Sequence, residues 1–79
     1  MMTVTKAICN HHPVFLKQAY KGDVVQLVDH ERHLSTGDRY IKFDPARLRF
    51  KVMVHAPDYE YLVGSYDNLA SAINKARRT

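Results

Sequence analysis

From Arg47 to His55 the chain alternates polar and apolar side chains, Arg47-Leu48-Arg49-Phe50-Lys51-Val52-Met53-Val54-His55. A period of two is that of a strand with one face in a core. It sends Leu48, Phe50, Val52 and Val54 inward and leaves Arg47, Arg49 and Lys51 together on the opposite face. Upstream, Asp38 to Asp44 reads as a strand with Ile41 and Phe43 inward and Tyr40 and Lys42 outward, ended by the turn chemistry of Asp44-Pro45-Ala46. Downstream, Ala56-Pro57-Asp58 interrupts the pattern again before a third strand, Tyr59 to Val63, which leads into Gly64-Ser65-Tyr66. Three strands with short connections predict an antiparallel meander.

Beyond Tyr66 the period changes. Leu69, Ala72, Ile73 and Ala76 recur at the spacing of one helical face, Asp67 is placed to cap the helix start, and Arg77 and Arg78 fall where the helix dipole favours cations. This helix is expected to pack across the inner face of the meander. The first 37 residues are less decisive. Val14 to Tyr20 and Val24 to His30 flank Lys21-Gly22-Asp23, a pattern that fits a β-hairpin; Asp23 as an N-cap with Gln26 three residues on equally fits a short helix ending before Gly37. The reading favours the hairpin because the second run is short and rich in valine.

The whole therefore reads as one α+β domain over residues 1–79. Residues 38–79 form a three-stranded antiparallel meander packed on a C-terminal helix, and residues 1–37 add an N-terminal β-hairpin or short helix. A chain of 79 residues has room for a single two-layer core. One cysteine, Cys9, makes no internal disulfide, and no stretch has the apolar length of a signal peptide or a membrane helix, so Met1 to Asn10 is read as part of the mature chain and the cytoplasm as its location.

The net charge of +4 is unevenly spread. Residues 1–38 balance four cations with four carboxylates, whereas residues 39–79 set eight against four and hold the entire excess. That half contains the alternating strand. Side by side, the strands of the meander put Tyr40 and Lys42, then Arg47, Arg49 and Lys51, then Tyr59 and Tyr61 on the face away from the helix. Cations interleaved with aromatic rings suit nucleic acid, the cations neutralising phosphates and the rings stacking on bases or packing on sugars. A solvated sheet face also needs polar residues there whatever its function.

Residues 39–78 resemble the DNA-binding domain of the plant Apetala/ethylene-response-factor proteins and the arm-site-binding domains of phage integrases. The likeness lies in a basic strand, a turn, a further strand, the junction Val63-Gly64-Ser65-Tyr66-Asp67, and a helix with small residues at Ala70, Ala72 and Ala76. Phe50 stands nearest the position where plant members carry tryptophan. The resemblance implies three antiparallel strands followed by one helix, a phage or mobile-element origin, and a sheet face laid in the DNA major groove. It carries that contact onto Arg47, Arg49 and Lys51, and more loosely onto Lys42 and Tyr61.

Other chemistry is thinly represented. Cys9, His11 or His12, His30 and His33 together have the donor types of a tetrahedral zinc site, but there is no Cys-x-x-Cys pair and His30 and His33 fit exposed positions beside Asp29 and Glu31. No metal or cofactor is therefore expected. The glycines are too scattered for a phosphate-cradling loop, and no acidic pair or nucleophile-base arrangement emerges. The expectation is a non-enzymatic protein that binds DNA or RNA through the seven residues named above. The alternative is a phage-encoded inhibitor or adaptor that uses the same face, notably Tyr40, Tyr59, Tyr61 and Arg49, against a host protein or ribonucleoprotein complex. Exposed strand edges would also permit a homodimer.

Overall fold

The computed structural model describes residues 5–8, 12–18, 25–28 and 34–78. In chain order these form β1 (Thr5–Ile8), α1 (Pro13–Gln18), β2 (Val25–Val28), β3 (Arg39–Asp44), β4 (Arg49–His55), β5 (Glu60–Tyr66) and α2 (Leu69–Arg78). The strands make one mixed sheet in the order β2-β1-β3-β4-β5. β3, β4 and β5 are the expected antiparallel meander, with Ile41 opposite Val52 and Phe43 opposite Phe50. The sheet is larger than the expected three strands because β1 pairs parallel with both β2 and β3.

That addition replaces the hairpin and the helical alternative in the N-terminal half, while the second run is a strand as the favoured reading expects. Val14 to Tyr20 is not the first arm of a hairpin: α1 occupies Pro13–Gln18, and Val25–Val28 is a strand rather than part of a helix. Proline at the first helical position costs no hydrogen bond. The His12 imidazole helps close the same turn, its Nδ1 accepting from the Val14 N–H at 3.3 Å while the Leu16 N–H donates to the His12 carbonyl. Parallel neighbours need a crossover rather than a tight turn, and α1 lies in the connection between β1 and β2.

One face of the sheet carries the main core. Ala7, Ile41, Phe43, Phe50 and Val52 from the strands meet Phe15 of α1 and Leu69, Ala72, Ile73 and Ala76 of α2. Phe15, Phe43 and Phe50 form a tilted aromatic trio with ring centroids 4.8 to 5.9 Å apart. Burying each ring contributes on the order of 2 to 3 kcal/mol, which makes this trio a principal source of stability in so small a domain. The four α2 residues are the helical face that periodicity predicts. The cap differs by one residue: Asn68, not Asp67, accepts the Ser71 N–H on its Oδ1 at 2.8 Å, and Asp67 accepts in turn from the Asn68 side-chain amide.

Two expectations for the alternating segment are corrected. Leu48 does not enter the core, because the strand starts at Arg49 and Leu48 belongs to the preceding turn with φ of 53° and half its surface exposed. Arg47 lies in the same turn, so it is not a strand residue either. Asp44 holds this turn with its Oδ1, which accepts from the N–H groups of Ala46 and Arg47. Sequence alternation runs through the turn without a break, and nothing in the period marks where pairing stops.

A second tight turn anchors the other end of β3. Ser35 and Asp38 exchange hydrogen bonds, Gly37 takes φ of 90°, and the Gly37 N–H donates to the His55 carbonyl at 2.8 Å. Lys6 of β1 reaches the Asp38 carboxylate, so one side chain ties a parallel strand to the start of the meander.

Candidate polyanion-binding face

The face of the sheet opposite the two helices divides into an apolar half and a polar half. Tyr40, directly opposite Met53, points away from the helices as expected, but it is fully buried. Val28 of β2, Leu34 from the loop before β3, Met53 and Ile8 cover it as a second, smaller core. Its place in an exposed patch is therefore corrected. The cover comes from residues distant in sequence, which is why the strand pattern around Tyr40 gave no sign of it.

The polar half lies toward the β3–β4 turn. Lys42 and Lys51 stand directly opposite each other, and Asp44 stands opposite Arg49. Lys42 Nζ lies 3.1 Å from Glu60 Oε1, and Lys51 Nζ lies 3.5 Å from Asp44 Oδ2. Arg49 is held along the end of β5, its Nε donating to Ser65 Oγ at 3.1 Å and its Nη2 to the Ser65 carbonyl at 2.8 Å. Those two bonds fix the guanidinium plane. Arg47, exposed in the β3–β4 turn, adds a positive charge at that end of the sheet.

Burial pushes the Asp44 carboxyl up, but the Arg47 and Ala46 N–H groups and the Lys51 ammonium outweigh it and hold the acid below its ordinary value. Asp38, at the far end of β3, is likewise held low, first by its hydrogen bond from Lys6 and then by the Ser35 N–H. Both acids are ionised at neutral pH, so the polar half carries alternating charge with cations in excess.

Tyr59 and Tyr61 do not join these cations. Tyr61 pairs with Val54, on the helix-bearing face, and is about half exposed; Tyr59 precedes β5 and is more exposed still. Their rings lie 6.2 Å apart, at the end of β4 remote from Arg49. Five residues separate Arg49 from Val54, about 17 Å of strand. A β-bulge causes the change of face: Leu62 pairs with Met53 and Gly64 with Val52, which leaves Val63 without a counterpart on β4. The extra residue reverses the parity of everything before it in β5. Of the seven expected residues, the structure thus brings Lys42, Arg49 and Lys51 onto one face, with Arg47 in the adjoining turn, and adds Ser65, Asp44 and Glu60 as partners.

Cys9, His11, His30 and His33 lie outside the described residues. His12 packs on the Phe43 ring at 4.8 Å and caps α1. Among the described residues no three His, Cys, Asp or Glu side chains gather as a metal site, and no helix is long and apolar enough to cross a membrane. An open concavity of about 340 Å³ at the β4–β5 turn is lined by His55, Ala56, Pro57, Asp58, Tyr59 and Glu60. Comparison of the chain with family models, with curated proteins and with solved structures gives no match.

Proposed function

We propose that the protein is a small non-enzymatic nucleic-acid-binding protein, of phage or mobile-element origin, that contacts phosphates through the polar half of its sheet with Lys42, Arg47, Arg49 and Lys51. The observation that carries this reading is the direct pairing of Lys42 with Lys51. Like charges directly opposite on a sheet are destabilising, and a single threonine on either strand would remove the repulsion. A polyanion laid along this face would repay the arrangement, since each phosphate neutralised releases counterions. Arg49 is already fixed in plane by Ser65, and this lowers the entropy lost when it meets a phosphate or a guanine edge.

The order of three antiparallel strands followed by a helix supports the same reading, being the arrangement of the Apetala-type and integrase arm-binding domains. The rival reading, an inhibitor or adaptor, draws on Tyr40, Tyr59, Tyr61 and Arg49 as one patch. With Tyr40 buried and the other tyrosines at the far end of β4, the cationic half is the more coherent surface.

Fluorescence anisotropy with labelled duplex DNA and with single-stranded RNA, at about 50 mM salt where electrostatic binding is strong, tests the proposal. Replacing Lys42, Arg47 and Lys51 together by Ala is expected to weaken binding at least tenfold. The slope of log affinity against log salt should fall by about 0.9 for each duplex phosphate contact removed. Absence of binding to either polymer by the wild-type protein sinks the reading.

A further inference from the structure

β5 ends the sheet, and among the described residues nothing pairs with its outer edge. Exposed edges are ordinarily guarded by lysine, arginine or proline; residues Glu60–Tyr66 contain none of these, their single charge, Glu60, is drawn toward Lys42, and the one guard from outside the strand is Arg49, which reaches the Ser65 carbonyl. Tyr61 and Leu62 on this strand, and Tyr59 just before it, are three of the four large apolar side chains left most exposed in the described structure. We infer that the β5 edge pairs antiparallel with the β5 edge of a second copy of this chain.

The sequence of β5 is self-complementary in one register. Pairing with β4 and packing against the main core put Tyr61, Val63, Gly64 and Tyr66 on the helix-bearing face, and Leu62 and Ser65 on the other. Directly opposite residues of an antiparallel pair must share a face. Setting Val63 against Gly64 of the second copy satisfies this throughout: Leu62 then meets Ser65, and Tyr61 meets Tyr66. A shift of two residues either way puts a helix-side residue opposite an outer one. The bulge at Val63 thus selects the register, because the irregularities of the two copies coincide at the two-fold axis. The one like-charge approach, Glu60 to Asp67 of the second copy, falls at the margin.

This register doubles the five-stranded sheet and keeps both polar halves on one side. The two β4 strands lie three strand spacings apart, about 14 Å. A single ladder of this length buries less than a standard interface, so the association is expected to be micromolar or weaker.

Size-exclusion chromatography with light scattering, over loadings from about 10 µM to about 1 mM, reads it directly. The mass is expected to rise from 9.1 kDa toward twice that value. Raised salt should leave this association intact or strengthen it, unlike phosphate binding, so the two readings fail separately. Leu62→Lys and Tyr61→Lys, both at exposed positions, are expected to remain at the monomer mass, while Arg39→Ala, exposed on β3, still associates. Hydrogen exchange on the wild-type protein gives a measurement independent of the variants, because outward-facing β5 amides should gain protection as concentration rises. A wild-type mass that stays at 9.1 kDa across the range overturns the inference, as does unchanged association of both lysine variants.

Discussion

The Tyr66 ring lies over Gly64, two residues back on the same face, so closely that a β-carbon at Gly64 would come within 2.9 Å of the ring edge and of the hydroxyl oxygen. Glycine inside a strand costs conformational entropy and leaves backbone uncovered; here the ring supplies the cover. Gly64→Ala is expected to destabilise the protein by about 1 kcal/mol because it displaces Tyr66 from the core margin. In a Tyr66→Ala background the same substitution should be neutral or stabilising. A double-mutant cycle by urea unfolding checks this, and equal effects in the two backgrounds would refute the coupling.

Leu48 sits at φ of 53° with its side chain half in solvent, a position where an L-residue pays about 1 kcal/mol and gains little burial. Leu48→Gly relieves that strain at some cost in unfolded-chain entropy. The net expectation is stabilisation of about 0.5 to 1 kcal/mol, seen as a rise of a few degrees in melting temperature for a domain of this size. A lower melting temperature would mean that Leu48 makes contacts outweighing its backbone strain.

The Lys6–Asp38 pair gives the fold a defined response to acid. Both side chains are about a quarter exposed, 27% and 26%, so the contribution is modest, on the order of 1 kcal/mol. Hydrogen bonds from Lys6 and Ser35 lower the Asp38 pKa in the folded state. A depressed carboxylate stabilises fully above its unfolded value of about 3.9, and the stabilisation is lost as pH falls through the folded value. Asp38→Asn should therefore be less stable than wild type at pH 6, with the gap closing below about pH 4. Unfolding curves at pH 6, 4 and 2.5 would show a constant gap if Asp38 does not titrate with folding.

Stability and binding are expected to separate at Lys51. Lys51→Thr exchanges a like-charge neighbour of Lys42 for a β-branched residue suited to a strand, while giving up the long, partly buried contact with Asp44. Its folding free energy should stay within about 0.5 kcal/mol of wild type or improve slightly. Affinity for nucleic acid should fall several-fold. Parallel loss of both properties would show Lys51 to be structural.

The parts of the fold visible in sequence are those written in short-range periods. Ile41, Phe43, Phe50 and Val52 obey the period of two and Leu69, Ala72, Ile73 and Ala76 the helical period, and all eight reach the main core. β1 escaped notice because four residues, Thr5 to Ile8, carry little pattern and their pairing with β2 and β3 is nonlocal. Pro13 did carry a signal for α1, being a residue that starts helices and interrupts central strands. For the site, Lys42, Arg49 and Lys51 were legible through alternation alone. Tyr40 was not, since Val28 and Leu34 close over it from elsewhere in the chain, and Tyr61 was not, since a single unpaired residue reverses its face.

That unpaired residue, Val63, acts as a parity switch for one end of the molecule. Deleting it would leave Leu62 opposite Met53 and Tyr61 opposite Val54, whereas pairing it regularly with Met53 would move Leu62 opposite Val54 and Tyr61 opposite His55, on the side that holds Lys42 and Lys51. A slip of one residue in pairing, with no side chain altered, would then move an aromatic ring from the helix side to the cationic side. The chemistry that this sheet presents is therefore set by pairing register as much as by residue type.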